Sequence, residues 1–221
     1  MEEELKNSIL KTGTSIVGIV CKEGVVLAGD RKVTAGGHII MNKNTKKVVQ
    51  INNYLVLAAT GSASDIEMLR KIVSAELKLK ELRDRKRPSV KEAVNLIAMI
   101  SYRNIRQPSM IPFIAGTLVA GYNENGSVEL YTIEPAGSAI KVEDYDANFS
   151  SGMPYILGLL ERQYKKNISI EEGIKLAIES IKASSERDTG SGYGIDVFVI
   201  TKEGIKQVSK QKASFEYREE N

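Results

Sequence analysis

Histidine and cysteine are scarce in this chain of 221 residues, which has one of each and no tryptophan. A single histidine leaves little opportunity for the Ser-His-Asp and Cys-His arrangements that many hydrolases use. A single cysteine, Cys21, excludes a disulfide within the chain and is typical of a reducing compartment, so we expect a cytoplasmic protein. Cys21 stands inside a strand pattern, which predicts a buried packing role for it rather than a cysteine nucleophile.

A strong charge of one sign is also missing, because 31 basic residues stand against 28 acidic ones and the net charge is +3. That balance predicts a mixed surface and argues against nucleic acid as a partner. The N-terminal Met1–Glu4 is acidic, no apolar segment follows it, and no run is long enough to span a bilayer, so we expect neither a secretory signal nor a membrane partner. The basic run at 78–87 is interpreted as a solvated helix end, with docking to a neighbouring subunit as the alternative.

Apolar residues make up 42% of the chain, which is enough for one substantial core, and no flexible linker divides it. Strands are predicted in hairpins and helices in consecutive pairs. The predicted strands are 15–21, 25–30, 48–51, 54–59, 114–122, 128–133, one or two within 137–150, 195–201 and 205–208; the predicted helices start near Ser62 or Ser64, Pro88-Ser89, Gly152 and Ser169. This segregation predicts an α+β protein, a four-layer α-β-β-α sandwich of two antiparallel sheets flanked by helix pairs.

The chemistry of the chain centres on Gly13-Thr14, which stands between a short leader and the first strand. By itself the dipeptide is typical of an ordinary turn into a strand. If the bond between the two residues is cut, however, Thr14 gains a free α-amino group with an unperturbed pKa of about 7.7–8, which suits a general base near neutral pH. A threonine activated by its own amine is a nucleophile that needs no histidine.

Other polar or glycine positions stand where chemistry is often found, at the ends of predicted strands and in loops. They are Asp30, Lys47, Gly61, Ser151-Gly152, and Asp188 with Ser191. Each also has an ordinary structural interpretation: an ion pair with Arg31 for Asp30, a surface position for Lys46-Lys47, and turn or loop geometry for the others.

Taken in order, these pieces resemble the catalytic β subunits of proteasomes, and archaeal ones most closely, from about residue 13 to residue 205. The matching runs are Gly13-Thr14-Ser15-Ile16-Val17-Gly18, Gly24-Val25-Val26-Leu27-Ala28-Gly29-Asp30-Arg31, Lys46-Lys47-Val48, Ala59-Thr60-Gly61, Ser150-Ser151-Gly152, Arg187-Asp188-Thr189-Gly190-Ser191-Gly192 and Ile195-Asp196-Val197. The fold of that family, the N-terminal nucleophile hydrolase fold, is the same sandwich that the hairpins and helix pairs predict.

The resemblance implies that Thr14 is the nucleophile of a threonine peptidase that needs no cofactor or metal. It implies a propeptide at 1–13 that self-cleavage at Gly13-Thr14 removes from the zymogen, a catalytic domain at 14–208, and a polar C-terminal tail at 209–221, which we expect to fray. Asp30 would hold the Lys47 ammonium, and Lys47 would lower the proton affinity of the Thr14 hydroxyl and amine.

The remaining implied catalytic residues surround that nucleophile. The N–H of Gly61 would form the oxyanion hole. Ser151, Asp188 and Ser191 would hold the terminal amine and a water molecule in place.

The resemblance also implies where substrate binds. Thr34 would pair with the substrate backbone as an added strand. Ala59 would form the floor of the specificity pocket, with Val33 and Ala63 on its walls, so we expect an apolar pocket that offers no buried charge and prefers Leu, Phe or Tyr. Glu67, further along the same helix, would attract a basic side chain if it faced that pocket.

The chain departs from the family pattern at four places, one of which is Thr189-Gly190 in place of the more common Ser-Ala. One extra residue lies between Thr34 and Lys47, and we align Lys47 rather than Lys46 as catalytic because Lys47 directly precedes the apolar strand. Met153 stands where the family often has a serine, which removes a hydroxyl near the amine. Ser15 stands where a second threonine is usual.

The function that this resemblance implies is a self-activated endopeptidase subunit in a proteasome core particle. Its partners would be proteasome α subunits, other β subunits in heptameric rings, an ATP-dependent unfoldase reached through the α ring, and unfolded polypeptides as substrates. Two alternatives stay open, a non-catalytic structural subunit of the β ring and an N-terminal nucleophile amidohydrolase acting on a small molecule. Homomeric and mixed β rings are equally compatible with the sequence.

Overall fold

The structure, a computed structural model, describes residues 13–35, 37 and 39–212, with side chains as far as Ser209. Most of the predicted propeptide and the end of the predicted tail lie outside the described residues. The strands are β1 (Ile16–Cys21), β2 (Gly24–Asp30), β3 (Val33–Ala35), β4 (Ile39–Asn42), β5 (Val48–Asn52), β6 (Leu55–Gly61), β7 (Ala115–Tyr122), β8 (Val128–Ile133), β9 (Ala139–Lys141), β10 (Tyr145–Asp146), β11 (Gly194–Thr201) and β12 (Gly204–Lys212). The helices are α1 (Ala63–Asp84), α2 (Val90–Ile105), α3 (Met153–Gln163) and α4 (Ile170–Ser185).

Two five-stranded antiparallel sheets form the centre of the fold. The first has the order β10-β1-β2-β11-β12, and the second has the order β5-β6-β7-β8-β9. In the first sheet Ile16 of β1 lies opposite Gly29 of β2, and Ile195 of β11 lies opposite Asp30. The start of β1, the end of β2 and the start of β11 therefore meet at one edge of the sheet.

Three apolar layers hold these elements together, and they confirm the predicted α-β-β-α sandwich. Residues such as Leu27, Leu118 and Phe198 pack between the two sheets. A second cluster, which includes Leu57 and Leu69, lies between the second sheet and the pair α1 and α2. A third, which includes Ile156, lies between the first sheet and the pair α3 and α4. Each sheet is thus buried on both faces, which explains the nearly continuous apolar runs of β2 and β6.

The helix starts follow the local sequence signals closely. Ser89 and Glu92 form a complete capping box at the start of α2, and Ser169 and Glu172 form another at the start of α4, and both helices begin where the sequence predicts. Ser62 occupies the N-cap position of α1 without making a side-chain cap bond.

Two parts of the chain differ from the sequence prediction. Strands β3 and β4 form a small two-stranded ribbon at a place where no strand was predicted. The last strand does not end at Val208 but continues to Lys212, which lies opposite Gly194 of β11, because pairing with a central strand orders its backbone. The basic run agrees with its interpretation as a solvated helix end, because α1 continues to Asp84 and much of the run lies on its exposed last turns, where Lys80 pairs with Asp84 at 2.8 Å.

Among the described residues, the helices are all too short or too polar to cross a lipid bilayer.

Candidate active site

The candidate active site is assembled at the edge where β1, β2 and β11 meet. Thr14 lies just before β1, Asp30 is the last residue of β2, and the loop that contains Asp188 leads into β11. Lys47 reaches the same place from the start of β5 in the second sheet. Distant parts of the sequence therefore converge because neighbouring antiparallel strands present these ends together.

Lys47 and Asp30 form a buried ion pair, with Lys47 Nζ 2.7 Å from Asp30 Oδ1. Lys47 is 5% exposed and Asp30 is fully buried, whereas the neighbouring Lys46 is exposed. Burial lowers the pKa of the Lys47 ammonium, and the Asp30 carboxylate opposes that change. The structure therefore pairs the ammonium of Lys47, and not that of Lys46, with Asp30.

Three backbone donors support the Asp30 carboxylate in addition to Lys47. The N–H of Ser15 donates to Oδ1 at 2.8 Å, and those of Lys32 and Gly192 donate to Oδ2 at 2.9 and 3.0 Å. Burial raises the pKa of the Asp30 carboxyl, while Lys47 and the backbone donors oppose that rise. This set of donors fixes the orientation of the carboxylate, and through it the position of the Lys47 ammonium.

The carbonyl oxygen of Gly13 accepts two hydrogen bonds from the groups next to it. Thr14 Oγ1 donates to it at 2.7 Å, and Lys47 Nζ donates to it at 2.9 Å. A Cβ built on Gly13 would lie 1.9 Å from the Cα of Gly190, so the backbones of these two glycines touch. The peptide bond between Gly13 and Thr14 is consequently held against the threonine hydroxyl and the lysine ammonium.

The backbone nitrogen of Thr14 is held by a second group of side chains. It donates to Ser151 Oγ at 2.9 Å, and Ser151 Oγ lies 2.6 Å from Asp188 Oδ2. Ser191 Oγ donates to the same carboxylate oxygen at 2.5 Å. The three residues that sequence analysis placed around the amine are therefore brought together around the Thr14 nitrogen.

A buried hydroxyl cluster behind this group was not predicted. Ser15 Oγ lies 2.5 Å from Ser184 Oγ and 2.6 Å from Ser191 Oγ, and Ser15 and Ser184 are fully buried. Ser184 comes from the end of α4, and no local sequence signal marks it. Because a carboxylate can only accept, the Ser191 hydrogen is committed to Asp188, so Ser15 donates to Ser191 and Ser184 donates to Ser15.

Arg31 does not pair with Asp30, which was the ordinary structural interpretation of that dipeptide. Its guanidinium forms two hydrogen bonds with Asp196 on β11, and its Nη1 donates to Asn44 Oδ1 at 2.6 Å. Successive residues of a strand point to opposite faces, so Asp30 and Arg31 meet different partners. The Arg31 pair holds the connection before Lys47 against the first sheet.

A cavity of about 420 Å³ opens beside Thr14. It is lined by Gly13, Thr14, Val33, Thr45, Lys46, Lys47, Val49, Ala59, Gly61, Ala63, Ile66, Glu67 and Arg70. The predicted pocket residues Val33, Ala59 and Ala63 thus share one cavity with the candidate nucleophile. The expectation of a pocket without charge is wrong, because Arg70 from α1 lines it.

Two further predicted residues lie near this cavity. Gly61 has a φ of +120°, a conformation that side chains rarely adopt, and a Cβ there would lie 2.3 Å from the carbonyl oxygen of Ile114. Only glycine therefore fits at this end of β6. Thr34 lies in the ribbon opposite Ile40, and its buried Oγ1 has no hydrogen-bond partner among the described residues.

Cys21 is buried as predicted and lies far along β1 from Thr14. Burial raises the pKa of its thiol to about 12, with Glu171 and Glu172 adding to the rise. At pH 8 only about one thiol in 10⁴ is ionised under those conditions.

We therefore expect Cys21 in the native protein to resist iodoacetamide at pH 8 and to react rapidly after unfolding in urea, as followed by intact mass. Equal rates in both states would contradict the burial of Cys21.

Comparison with known proteins gives consistent matches over nearly the whole chain. The family model for proteasome subunits matches residues 10–200. The proteasome subunit beta of Nanoarchaeum equitans is 36% identical over 195 residues, which cover 88% of this chain and 96% of that protein. The proteasome subunit beta 1 of Thermococcus onnurineus is 37% identical over 212 residues, which cover 96% and 97%. The proteasome subunit beta of Methanosarcina mazei is 36% identical over 200 residues, which cover 90% and 92%.

Proposed function

We propose that this chain, which belongs to the proteasome subunit family and is a proteasome β subunit, is an active, threonine-type endopeptidase. Subunits of this class assemble into rings with other subunits and support protein hydrolysis. One observation carries the proposal: the Gly13 carbonyl oxygen accepts hydrogen bonds from both Thr14 Oγ1 and Lys47 Nζ. A structural subunit has no need for a buried ammonium at the peptide bond that precedes a threonine.

The first reaction that this arrangement supports is cleavage of its own chain. Thr14 Oγ1 attacks the Gly13 carbonyl carbon, and the Lys47 ammonium stabilises the negative charge that develops on the carbonyl oxygen. The new C–O bond replaces the C–N bond, and the Thr14 nitrogen takes a proton and becomes a free amine. Water then hydrolyses the ester, which releases the Gly13 carboxylate and restores the hydroxyl.

The same groups then act on a substrate peptide. The free Thr14 amine, held by Ser151 and Asp188, accepts the proton of the Thr14 hydroxyl as Oγ1 attacks the substrate carbonyl. Lys47, fixed by Asp30, lowers the proton affinity of both groups through its positive charge. The N–H of Gly61 stabilises the oxyanion, and the cavity beside Thr14 receives the side chain that precedes the cut bond.

We extend the proposal to the setting in which this reaction occurs. The subunit works in the cytoplasm, as a zymogen that becomes active by autocatalysis. It forms heptameric β rings between α rings, and an ATP-dependent unfoldase supplies unfolded polypeptides. Support for this setting is the family membership together with the presence of a complete set of candidate catalytic residues.

Substrate type separates this proposal from the small-molecule amidohydrolase. Particles assembled with the matching α subunit are expected to cleave an N-blocked fluorogenic peptide and an unfolded protein, and to leave a small amide such as glutamine intact. The reason is that substrate has to bind as an extended chain beside Thr34. Rapid hydrolysis of the small amide without peptide cleavage would favour the amidohydrolase, and no hydrolysis of either would favour the structural subunit.

A further inference from the structure

Arg70 occupies a place in the cavity that the sequence did not reveal. It lies on α1 one turn after Ile66 and lines the same cavity as Thr14 and Ala59. Its side chain is partly buried, unlike the exposed Lys71 beside it. The side chain of Arg70 therefore forms part of the wall of the cavity and does not extend into solvent as that of Lys71 does.

The guanidinium is fixed by backbone carbonyl groups and not by a carboxylate. Nη1 donates to the carbonyl oxygen of Lys46 at 3.2 Å, and Nη2 donates to that of Lys47 at 2.9 Å. Nε is buried and has no hydrogen-bond partner among the described residues. Burial lowers the pKa of the Arg70 guanidinium to about 10, which still leaves it charged at neutral pH.

Among the described residues no carboxylate forms an ion pair with Arg70, although Glu67 of the cavity lining interacts with it electrostatically. Asp30 is paired with Lys47. Glu67 lies at the exposed rim, where its Oε1 is 2.6 Å from Lys71 Nζ, and its side chain is 68% exposed. Glu67 therefore lines the cavity, but its pairing with Lys71 opposes the expectation that it draws a basic side chain into the pocket, and the cavity keeps an excess positive charge.

We propose that Arg70 is a specificity-determining residue of this site, which makes the pocket reject basic side chains and accept acidic ones alongside apolar ones. The inference rests on the proposed peptidase activity. A lysine or arginine side chain that entered the cavity would bring a second positive charge into a partly dehydrated space, where repulsion is stronger than in bulk water. A glutamate side chain would instead bring the carboxylate that Arg70 lacks.

The test compares kcat/KM on assembled particles for three N-blocked fluorogenic peptides that differ only in having Leu, Glu or Lys before the cut. The unaltered particle is expected to prefer the Glu peptide to the Lys peptide by about tenfold or more. In Arg70→Gln, which keeps an amide donor but removes the charge, the Glu-to-Lys ratio is expected to fall towards one. Arg70→Met, which removes both, is expected to give the same ratio.

A matched control is Lys78→Met, which removes an exposed positive charge from the same helix two turns away and is expected to leave the ratio unchanged. A preference for the Lys peptide in the unaltered particle, or a ratio that both Arg70 variants preserve, would overturn the inference. Loss of all cleavage in both variants, with rings intact, would also overturn the inference. That result would mean that the role of Arg70 is to hold the backbone at Lys47 in place. Absence of cleavage in the unaltered particle would instead contradict the proposed function.

Discussion

Thr14→Ala is expected to abolish peptide cleavage, with a loss of at least about 10³-fold, while rings still assemble. The substitution removes the hydroxyl that donates to the Gly13 carbonyl oxygen, to which the Lys47 ammonium also donates. Its structural cost is small because Thr14 Oγ1 donates to the adjacent carbonyl and not to a distant element of the fold. Fluorogenic peptide turnover and native gel electrophoresis of the same preparation measure the two effects separately.

Two lysine variants serve as controls for this prediction. Lys47→Ala is expected to lose nearly as much activity as Thr14→Ala, and the double variant is expected to be no worse, since residues that act as one unit are not additive. Lys46→Ala is expected to stay active because Lys46 is exposed and contributes its carbonyl, not its side chain, to the contacts of Arg70. An inactive Lys46→Ala beside an active Lys47→Ala would show that the extra residue before Lys47 is misaligned.

Gly13→Ala is expected to slow removal of the leader by at least about 10²-fold, because a displacement of about 1 Å at a reacting group is enough for such a loss. An added Cβ would lie 1.9 Å from the Cα of Gly190, so the peptide bond has to move away from Thr14 Oγ1. N-terminal sequencing of assembled particles over time measures the fraction that begins at Thr14.

A chain that is made to begin directly at Thr14 provides the control for this prediction. It contains no residue 13, so its peptidase activity is expected to match that of the fully processed protein. If Gly13→Ala particles were processed at the normal rate, the contact with Gly190 would have no role in placing the bond.

Sequence patterns predicted the layers of the fold because those patterns are local. The capping boxes at Ser89 and Ser169 depend on residues three positions apart, and the alternation of hairpins and helix pairs follows from runs of a few residues. The β3 and β4 ribbon was missed because each strand is short and β4 is exposed throughout.

The residues of the site could be predicted from the sequence only where they belong to short runs that the family shares in the same order. Thr14, Asp30 and Lys47 belong to such runs, and the structure places them together. Arg70 and Ser184 lie on helix faces with no distinguishing neighbours, and their contacts depend on how α1 and α4 dock on the sheets. Such contacts are set by tertiary packing, which short sequence windows do not contain.

The meeting of β1, β2 and β11 at one edge has a consequence for timing during synthesis. Asp30 receives one of its donors from Gly192, and the Thr14 nitrogen depends on Asp188 through Ser151. Asp188 and Gly192 leave the ribosome more than 150 residues after Thr14, and β11 has to insert beside β2 before they take their places. If the chain cuts itself as proposed, a nascent or truncated chain lacks groups that hold Asp30 and the Thr14 nitrogen in place, and the free threonine amine marks a chain that has finished folding.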